Sequence, residues 1–378
     1  MTGLECYDFS MGIKPGGINI NTFLRVLLIL SCCPISLVCA AEDASPVLNS
    51  ALARASQMPR LHSLLVSHQG ELVVEQYFNG RDEDDIANVK SASKSIISAL
   101  IGAAIDRGYL NGVDQTIGEF FPNELSGESN TAKREIKIED LLTMQSGLET
   151  TSNRNYGRWV LSNNWIDFTL NQPLENTPGT VMQYSTGSTH LLSAIITKAT
   201  GKSTLEFARE VLGQPLGFYL GAWPTDPQGI FFGGNDMEFT PKQMLRIGEL
   251  YLNRGAYNGR QVLPAEWISA TFVDRTISPR DEGRRTYGYG WWIRDMAGYR
   301  TTYAWGYGGQ FILIVDELDL IIVTTSSSNP GSDRRRHTRG IYDLVEYDII
   351  APLARSTRLN TVSRQAESRF SDPSAQQN

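Results

Sequence analysis

Ser91 and Lys94, set in the stretch Asn88-Val89-Lys90-Ser91-Ala92-Ser93-Lys94-Ser95-Ile96-Ile97, form the single Ser-x-x-Lys of this chain. A serine hydroxyl is a poor nucleophile until a base removes its proton, and a lysine amine becomes such a base once burial lowers its pKa. Residues three apart on a helix share a face, so in a helix these two groups meet without tertiary help. The apolar positions Ile96, Ile97, Leu100, Ile101, Ala104 and Ile105 recur at three- and four-residue spacing, which predicts a helix that ends near Arg107-Gly108. The spacing alone is equally compatible with a capping serine and a solvated lysine.

Two further segments could complete a catalytic set. Tyr184-Ser185-Thr186 follows Pro178-Gly179-Thr180 and stands just before an apolar helical pattern over 188–202, stopped by Gly201. Gly306-Tyr307-Gly308-Gly309-Gln310 leads into the apolar run from Phe311 to Val315. Other chemistries find less support. Past the N-terminal segment the histidines are His62, His68, His190 and His337, and no Gly-x-Ser-x-Gly elbow presents a serine. His190 lies one helical turn after Thr186, so it could border a site, but core or surface placement is favoured. No His-x-x-x-His pair and no cysteine ligand support a metal, and no cofactor is implied.

The elements that must position these residues can be read from periodicity and turn signals. Leu61 to Phe78 carries two apolar runs around His68-Gln69-Gly70 and reads as a hairpin. Ile136 to Met144 reads as a short helix closed by Ser146-Gly147. The stretch 149–172 is irregular; its Tyr156, Trp159 and Trp165 could line a pocket or fill the core. Thr240-Pro241 opens another helix. Strands are expected at Tyr287 to Ile293, Phe311 to Val315 and Leu320 to Thr325, and a closing helix at Tyr342 to Leu353. Strands near both ends with helices between predict an α/β (α+β) domain, an antiparallel sheet flanked by helices with a helical insertion. The sheet part is expected from about 60–90 and 285–354.

At 378 residues, 41% hydrophobic and 20% charged, the chain suits a globular protein with a sizeable core. A net charge of −7 argues against a general nucleic-acid binder. The cationic run Asp333-Arg334-Arg335-Arg336-His337 reads as a solvated face. Val26 to Val38 is mostly apolar, preceded by Lys14 and Arg25 and followed by Val38-Cys39-Ala40. Residues 1–40 are therefore expected to be a secretory signal, whose apolar stretch Val26 to Val38 is too short to span a bilayer comfortably. Glu5 and Asp8 are odd in such a leader, so translation could start at Met1 or Met11. A lipoprotein signal at Ile29-Leu30-Ser31-Cys32 is a poor match. All four cysteines lie in this segment, so the domain expected over 41–354 has neither disulfides nor thiol chemistry despite export, with the bacterial periplasm the expected compartment. Residues 355–378 read as a disordered tail.

Together, Ser-x-x-Lys, Tyr-Ser-x and a Gly-rich strand entry, in that order, resemble the penicillin-recognising serine hydrolases: class C β-lactamases, penicillin-binding proteins and related esterases and amide hydrolases. Leu141-Leu142-Thr143-Met144-Gln145-Ser146-Gly147-Leu148 is similar to that family's "LLTMTSGL" segment, and Tyr251-Leu252-Asn253 through Leu263-Pro264-Ala265-Glu266-Trp267 to another habitual stretch. The resemblance covers about residues 60 to 350. It implies Ser91 as the acylated nucleophile, Lys94 as its base, and Tyr184 as the proton shuttle, its phenolate stabilised by the Lys94 ammonium. It further implies an oxyanion hole from the N–H groups of Ser91 and Gln310, with Gly308 and Gly309 allowing close approach of substrate. Two departures matter. Thr186 stands where many relatives have Asn, and Tyr307-Gly308-Gly309 where β-lactamases have Lys-Thr-Gly, in a frame that could slip by one or two residues. Without that lysine, recognition of a substrate carboxylate should be weak unless Arg334 to Arg336 folds over the site. The expected substrate is a small-molecule or peptide-like ester or amide. The alternatives are a β-lactamase or D-Ala-D-Ala carboxypeptidase, and a non-catalytic binder or sensor of cell-wall fragments.

Overall fold

The computed structural model describes residues 46–279 and 285–358; the expected signal segment and most of the expected tail lie outside them. The hairpin pairs β1 (Leu61–His68) with β2 (Glu71–Tyr77), turning through Gln69 and Gly70. The chain then builds the rest of the sheet from the other end: β3 (Thr276–Ile277), β4 (Thr286–Tyr287), β5 (Trp292–Met296), β6 (Tyr299–Gly306), β7 (Gln310–Val315) and β8 (Leu320–Ser326). The eight strands run in the order β2-β1-β8-β7-β6-β5-β4-β3, each pair antiparallel, so the N-terminal hairpin docks on the last strand. The sheet drawn from both ends of the domain is thus present. Strand β6 was not expected from the sequence: Tyr299-Arg300-Thr301-Thr302 interrupts the apolar signal, yet it is a central strand.

The central strands are apolar on both faces because both are covered. Side chains alternate across a strand. Leu65, Ile312, Ile314, Ile321 and Val323 face one core, while Leu64, Val66, Phe311, Leu313, Leu320 and Ile322 face the other. The first core holds α2 (Ser93–Asp106), α3 (Ile138–Leu142), α4 (Thr186–Thr200) and α5 (Pro241–Leu252). The second holds α1 (Asn49–Ser56) and α6 (Arg334–Asp343), which continues through Leu344–Ile350 to residue 358. Residues 355–358 are therefore helical, not part of a tail.

Helix signals in the sequence are met locally. Thr240 caps α5 with a reciprocal Gln243 contact and Pro241 in the first turn. Gly201, in the left-handed region, ends α4. Helix α4 starts at Thr186, two residues before its apolar pattern, so Tyr184 lies directly at its entrance. Helix α5 packs on β7 and β8, so the segment between the sheet halves is not all a separate insertion. Among the described residues, no helix is long and apolar enough to cross a membrane.

Candidate active site

Helix α2 is entered through one 3-10 turn, Lys90–Ala92. Lys90 has a left-handed φ of +49° and is held by Asn88, whose Oδ1 accepts its N–H at 3.0 Å. A non-glycine residue in this region stores of order 1 kcal/mol, here immediately before Ser91. The hydroxyl that ties down the helix start belongs to Ser93, which donates to the Lys90 carbonyl at 2.6 Å and accepts from Met237 N–H at 3.1 Å. Ser91 is not the cap. Its hydroxyl faces a cavity of about 920 Å³, with Lys94 Nζ at 3.4 Å and the Tyr184 hydroxyl in hydrogen-bond contact.

Lys94 is 1% exposed, which removes the solvated-lysine alternative. Its Nζ donates to the Gly234 carbonyl at 2.6 Å and lies 3.4 Å from Thr186 Oγ1. Burial pushes its pKa down to about 7, and the Asp236 carboxylate opposes that shift. Asp236 is itself paired with Lys90 at 2.9 Å, which weakens the negative potential felt by Lys94. An amine titrating near neutrality is a competent proton acceptor for a serine hydroxyl.

Tyr184 is fixed by the Leu141–Leu148 segment and the loop beyond it. Gln183 N–H donates to the Met144 carbonyl at 2.7 Å, and Thr150 Oγ1 donates to the Tyr184 carbonyl at 2.7 Å. The ring stacks on Trp292 at 5.7 Å and meets Tyr287 edge-on. Burial pushes the phenol up to about 12, with the hydrogen bond to Ser91 and the Arg285 guanidinium pulling the other way. Burial penalises both charged forms, lowering the Lys94 amine and raising the Tyr184 phenol, a direction opposite to that of a lysine-stabilised phenolate.

Thr186 begins α4 and is 4% exposed. Besides Lys94, its Oγ1 meets Ser152 Oγ at 2.9 Å, and its N–H donates to the same oxygen at 2.9 Å. Ser152 is a site residue that no sequence motif marked.

At the third motif, Trp305 and Tyr307 line the cavity, and Gly308, Gly309 and Gln310 do not. Gly306, at the end of β6, presses on the Ser91 turn so closely that a Cβ there would fall 2.0 Å from the Val89 carbonyl. Trp305 and Tyr307, on either side, line the cavity together with Ser91. Gln310 does not: it is 1% exposed, and its amide donates to the Ser326 carbonyl at 2.6 Å and accepts from Ser326 N–H at 3.1 Å. Gly308 (φ +98°) and Gly309 (φ +118°) are glycines for packing. Added Cβ atoms would fall 2.7 Å from the Ser327 carbonyl and 2.5 Å from Ile341 Cδ1, respectively, not in the cavity. The tight β6–β7 turn imposes this, because it turns the residues after Tyr307 back into the sheet.

Of the aromatic residues in 149–172, Tyr156 reaches the cavity, where its hydroxyl accepts from Asn235 Nδ2 at 3.0 Å. Trp159 and Trp165 instead pack around Phe232 and His190 in the core. The cationic run does not lie wholly in solvent: the Arg334 guanidinium stands 4.2 Å from the Tyr307 ring centroid at the cavity rim. Among the described residues, no cluster of His, Cys, Asp and Glu could hold a metal ion.

Comparisons with known proteins show the family to which this arrangement belongs. A family model described as Beta-lactamase matches residues 61–346. The 6-aminohexanoate-dimer hydrolase of Paenarthrobacter ureafaciens is 25% identical over 307 residues, spanning 76% of this chain and 77% of that protein. The structure of a family VIII carboxylesterase superposes with a TM-score of 0.62 at 15% identity, covering 80% of this chain and 98% of that one. A class C β-lactamase from Rhodobacter sphaeroides superposes with a TM-score of 0.59 at 18% identity, covering 79% and 98%. This chain therefore belongs to the β-lactamase family, serine hydrolases of the β-lactamase and penicillin-binding-protein fold that work through an acyl-enzyme.

Proposed function

We propose that this protein hydrolyses an ester or amide with Ser91 as nucleophile, Lys94 as general base and Tyr184 as proton relay. The carrying observation is the buried Lys94 amine, lowered to about 7 and 3.4 Å from Ser91 Oγ. In acylation, Ser91 Oγ bonds to the substrate carbonyl carbon while its proton passes to Lys94 Nζ. The resulting oxyanion takes hydrogen bonds from the N–H groups of Ser91 and Tyr307, whose neighbour Gly306 brings β6 against the nucleophile turn. The leaving group departs as its bond to carbon breaks. It takes the Tyr184 proton, which Lys94 restores. Water then attacks the acyl carbon, passing its proton to Tyr184 as the phenol hands its own to neutral Lys94; the bond from carbon to Ser91 Oγ breaks, Oγ takes a proton back through the same relay, and the acid leaves.

An ester or amide fits better than a β-lactam because Trp305, not a lysine, heads the strand edge facing Ser91, and Met182, Tyr156 and Trp292 supply apolar wall. The names of the relatives span a 6-aminohexanoate dimer, a carboxylic ester and a β-lactam. One observation favours the β-lactamase or D-Ala-D-Ala carboxypeptidase reading: Arg334 over Tyr307 places a cation at the rim. Intact-mass spectrometry after exposure to a p-nitrophenyl ester, a β-lactam and a fluorophosphonate separates these readings. Ester turnover with a fluorophosphonate adduct on Ser91 and no lasting β-lactam adduct is the expected result. A stable β-lactam adduct on Ser91 would favour the second reading, and no adduct at all a binding module. Residues 1–40 are proposed to direct export.

Tyr184→Phe tests the relay. Removing the hydroxyl should slow turnover by about 10² to 10⁴-fold. It should also leave an acyl adduct on Ser91 visible by mass, because water activation needs the relay. Wild-type turnover in that variant would assign the relay elsewhere.

A further inference from the structure

His190 and Asp226 form a buried pair that the mechanism does not use directly. Their side chains are 0% exposed, with His190 Nε2 3.0 Å from Asp226 Oδ2. The imidazole is otherwise walled by Trp159, Trp165 and Phe232. Its Nδ1 accepts from Gly233 N–H at 3.4 Å, so the ring proton sits on Nε2 and is donated to Asp226. The other carboxylate oxygen, Oδ1, accepts from Gln228 N–H at 2.9 Å and Ile230 N–H at 2.8 Å, organising the turn before the glycines.

The loop from Gly234 to Met237 touches Lys94 and the residues on both sides of Ser91. Gly234 gives its carbonyl to Lys94, Asp236 pairs with Lys90, and Met237 donates to Ser93 and accepts from Val89 N–H. Gly233 and Gly234 lie flush on the start of α4: Cβ atoms there would fall 2.1 Å from the Thr189 carbonyl and 2.4 Å from Thr189 Oγ1. The loop is thus held from below by one hydrogen bond into a buried histidine whose tautomer is fixed by a buried carboxylate.

We propose that His190 and Asp226 are positioning residues for the catalytic lysine, setting through Gly233 the place of the Gly234 carbonyl that holds Lys94. This role rests on the serine-hydrolase assignment above. Asp226→Asn keeps the shape but inverts one hydrogen bond. The carboxamide now presents an N–H to Nε2, the ring proton moves to Nδ1, and there it confronts the Gly233 N–H, donor against donor. His190→Gln offers an amide toward Asp226 but removes the acceptor for Gly233. Both variants release the loop while sparing every group that touches substrate.

The charged and titratable groups around Lys94 are Tyr184, Asp236 with its partner Lys90, and Arg285 beyond the Tyr184 ring. Of the contacts the loop supplies, the Gly234 carbonyl and the Asp236 carboxylate both favour the ammonium form. Loosening them lowers the proton affinity of Lys94. The test is the pH dependence of fluorophosphonate labelling of Ser91 and of ester kcat/KM, in wild type and both variants, normalised to the folded fraction from a thermal melt. The expected result is a loss of about 10-fold to 100-fold at the plateau, carried by kcat more than KM, with the acid limb moved to lower pH. If Asp226→Asn does not fold, His190→Gln decides. A folded variant with the wild-type rate and an unmoved acid limb would overturn the positioning role. So would a rate loss tracking only the folded fraction. A wild type unlabelled at Ser91 would overturn the nucleophile assignment, and the positioning role with it.

Discussion

Ser91→Ala should lower ester or amide turnover by at least about 10⁴-fold and leave the protein folded. The kinetic loss comes from the chemistry: among the described residues no other hydroxyl shares the Lys94 and Tyr184 contacts of Ser91 at the cavity mouth, and without Oγ no acyl-enzyme can form. The structural tolerance comes from the helix entrance. A serine that caps a helix typically contributes about 1 kcal/mol, but here Ser93 makes the tying contacts, to the Lys90 carbonyl and Met237 N–H. A thermal melt close to wild type, with both turnover and fluorophosphonate labelling lost, is the expected pair of results. Turnover near wild type in a folded Ser91→Ala protein would remove the assignment.

Lys94→Met should cost acylation nearly as much, because the amine beside Ser91 is the proposed base. In the wild type, kcat/KM should fall about tenfold per pH unit below pH 7, where Lys94, titrating at about 7, becomes an ammonium unable to accept the serine proton. The same shift predicts a stability signature. The folded-state pKa lies below the unfolded value of about 10.4. Between the two, the unfolded chain binds the extra proton, so stability rises with pH across that window. The variant lacks this group. Wild type should therefore gain stability relative to Lys94→Met as pH rises from about 7 toward 10, with a flat difference below 7. Urea midpoints at neutral and alkaline pH measure this. A difference that does not change with pH would mean that Lys94 keeps an ordinary proton affinity, and that another device activates Ser91.

Much of the proposed catalytic set was legible because it is local. Ser91 and Lys94 meet across one helical turn, Tyr184 stands at the entrance of α4, and caps such as Thr240-Pro241 and stops such as Gly201 act within a few residues. The two-faced sheet was legible too, since runs such as Phe311 to Val315 are apolar at every position and need cover on both sides. Strand β6 was not. Its polar start hid it, and with it the strand edge that faces Ser91, so the glycines read as substrate-facing turned out to pack against Ser327 and Ile341.

Spacing and periodicity were enough to pick out a candidate nucleophile, base and relay tyrosine and to set the antiparallel α/β frame, because they encode contacts within one helix or strand. Which proton is free to move is a property of the packed molecule instead. The Gly234 carbonyl reaches Lys94 across 140 residues, burial rather than a partner charge lowers the lysine and raises the tyrosine, and Gly306 meets Val89 from the far end of the chain. Proton affinity and oxyanion geometry depend on the water excluded and the dipoles gathered around a group, and these exist only once distant segments have packed together.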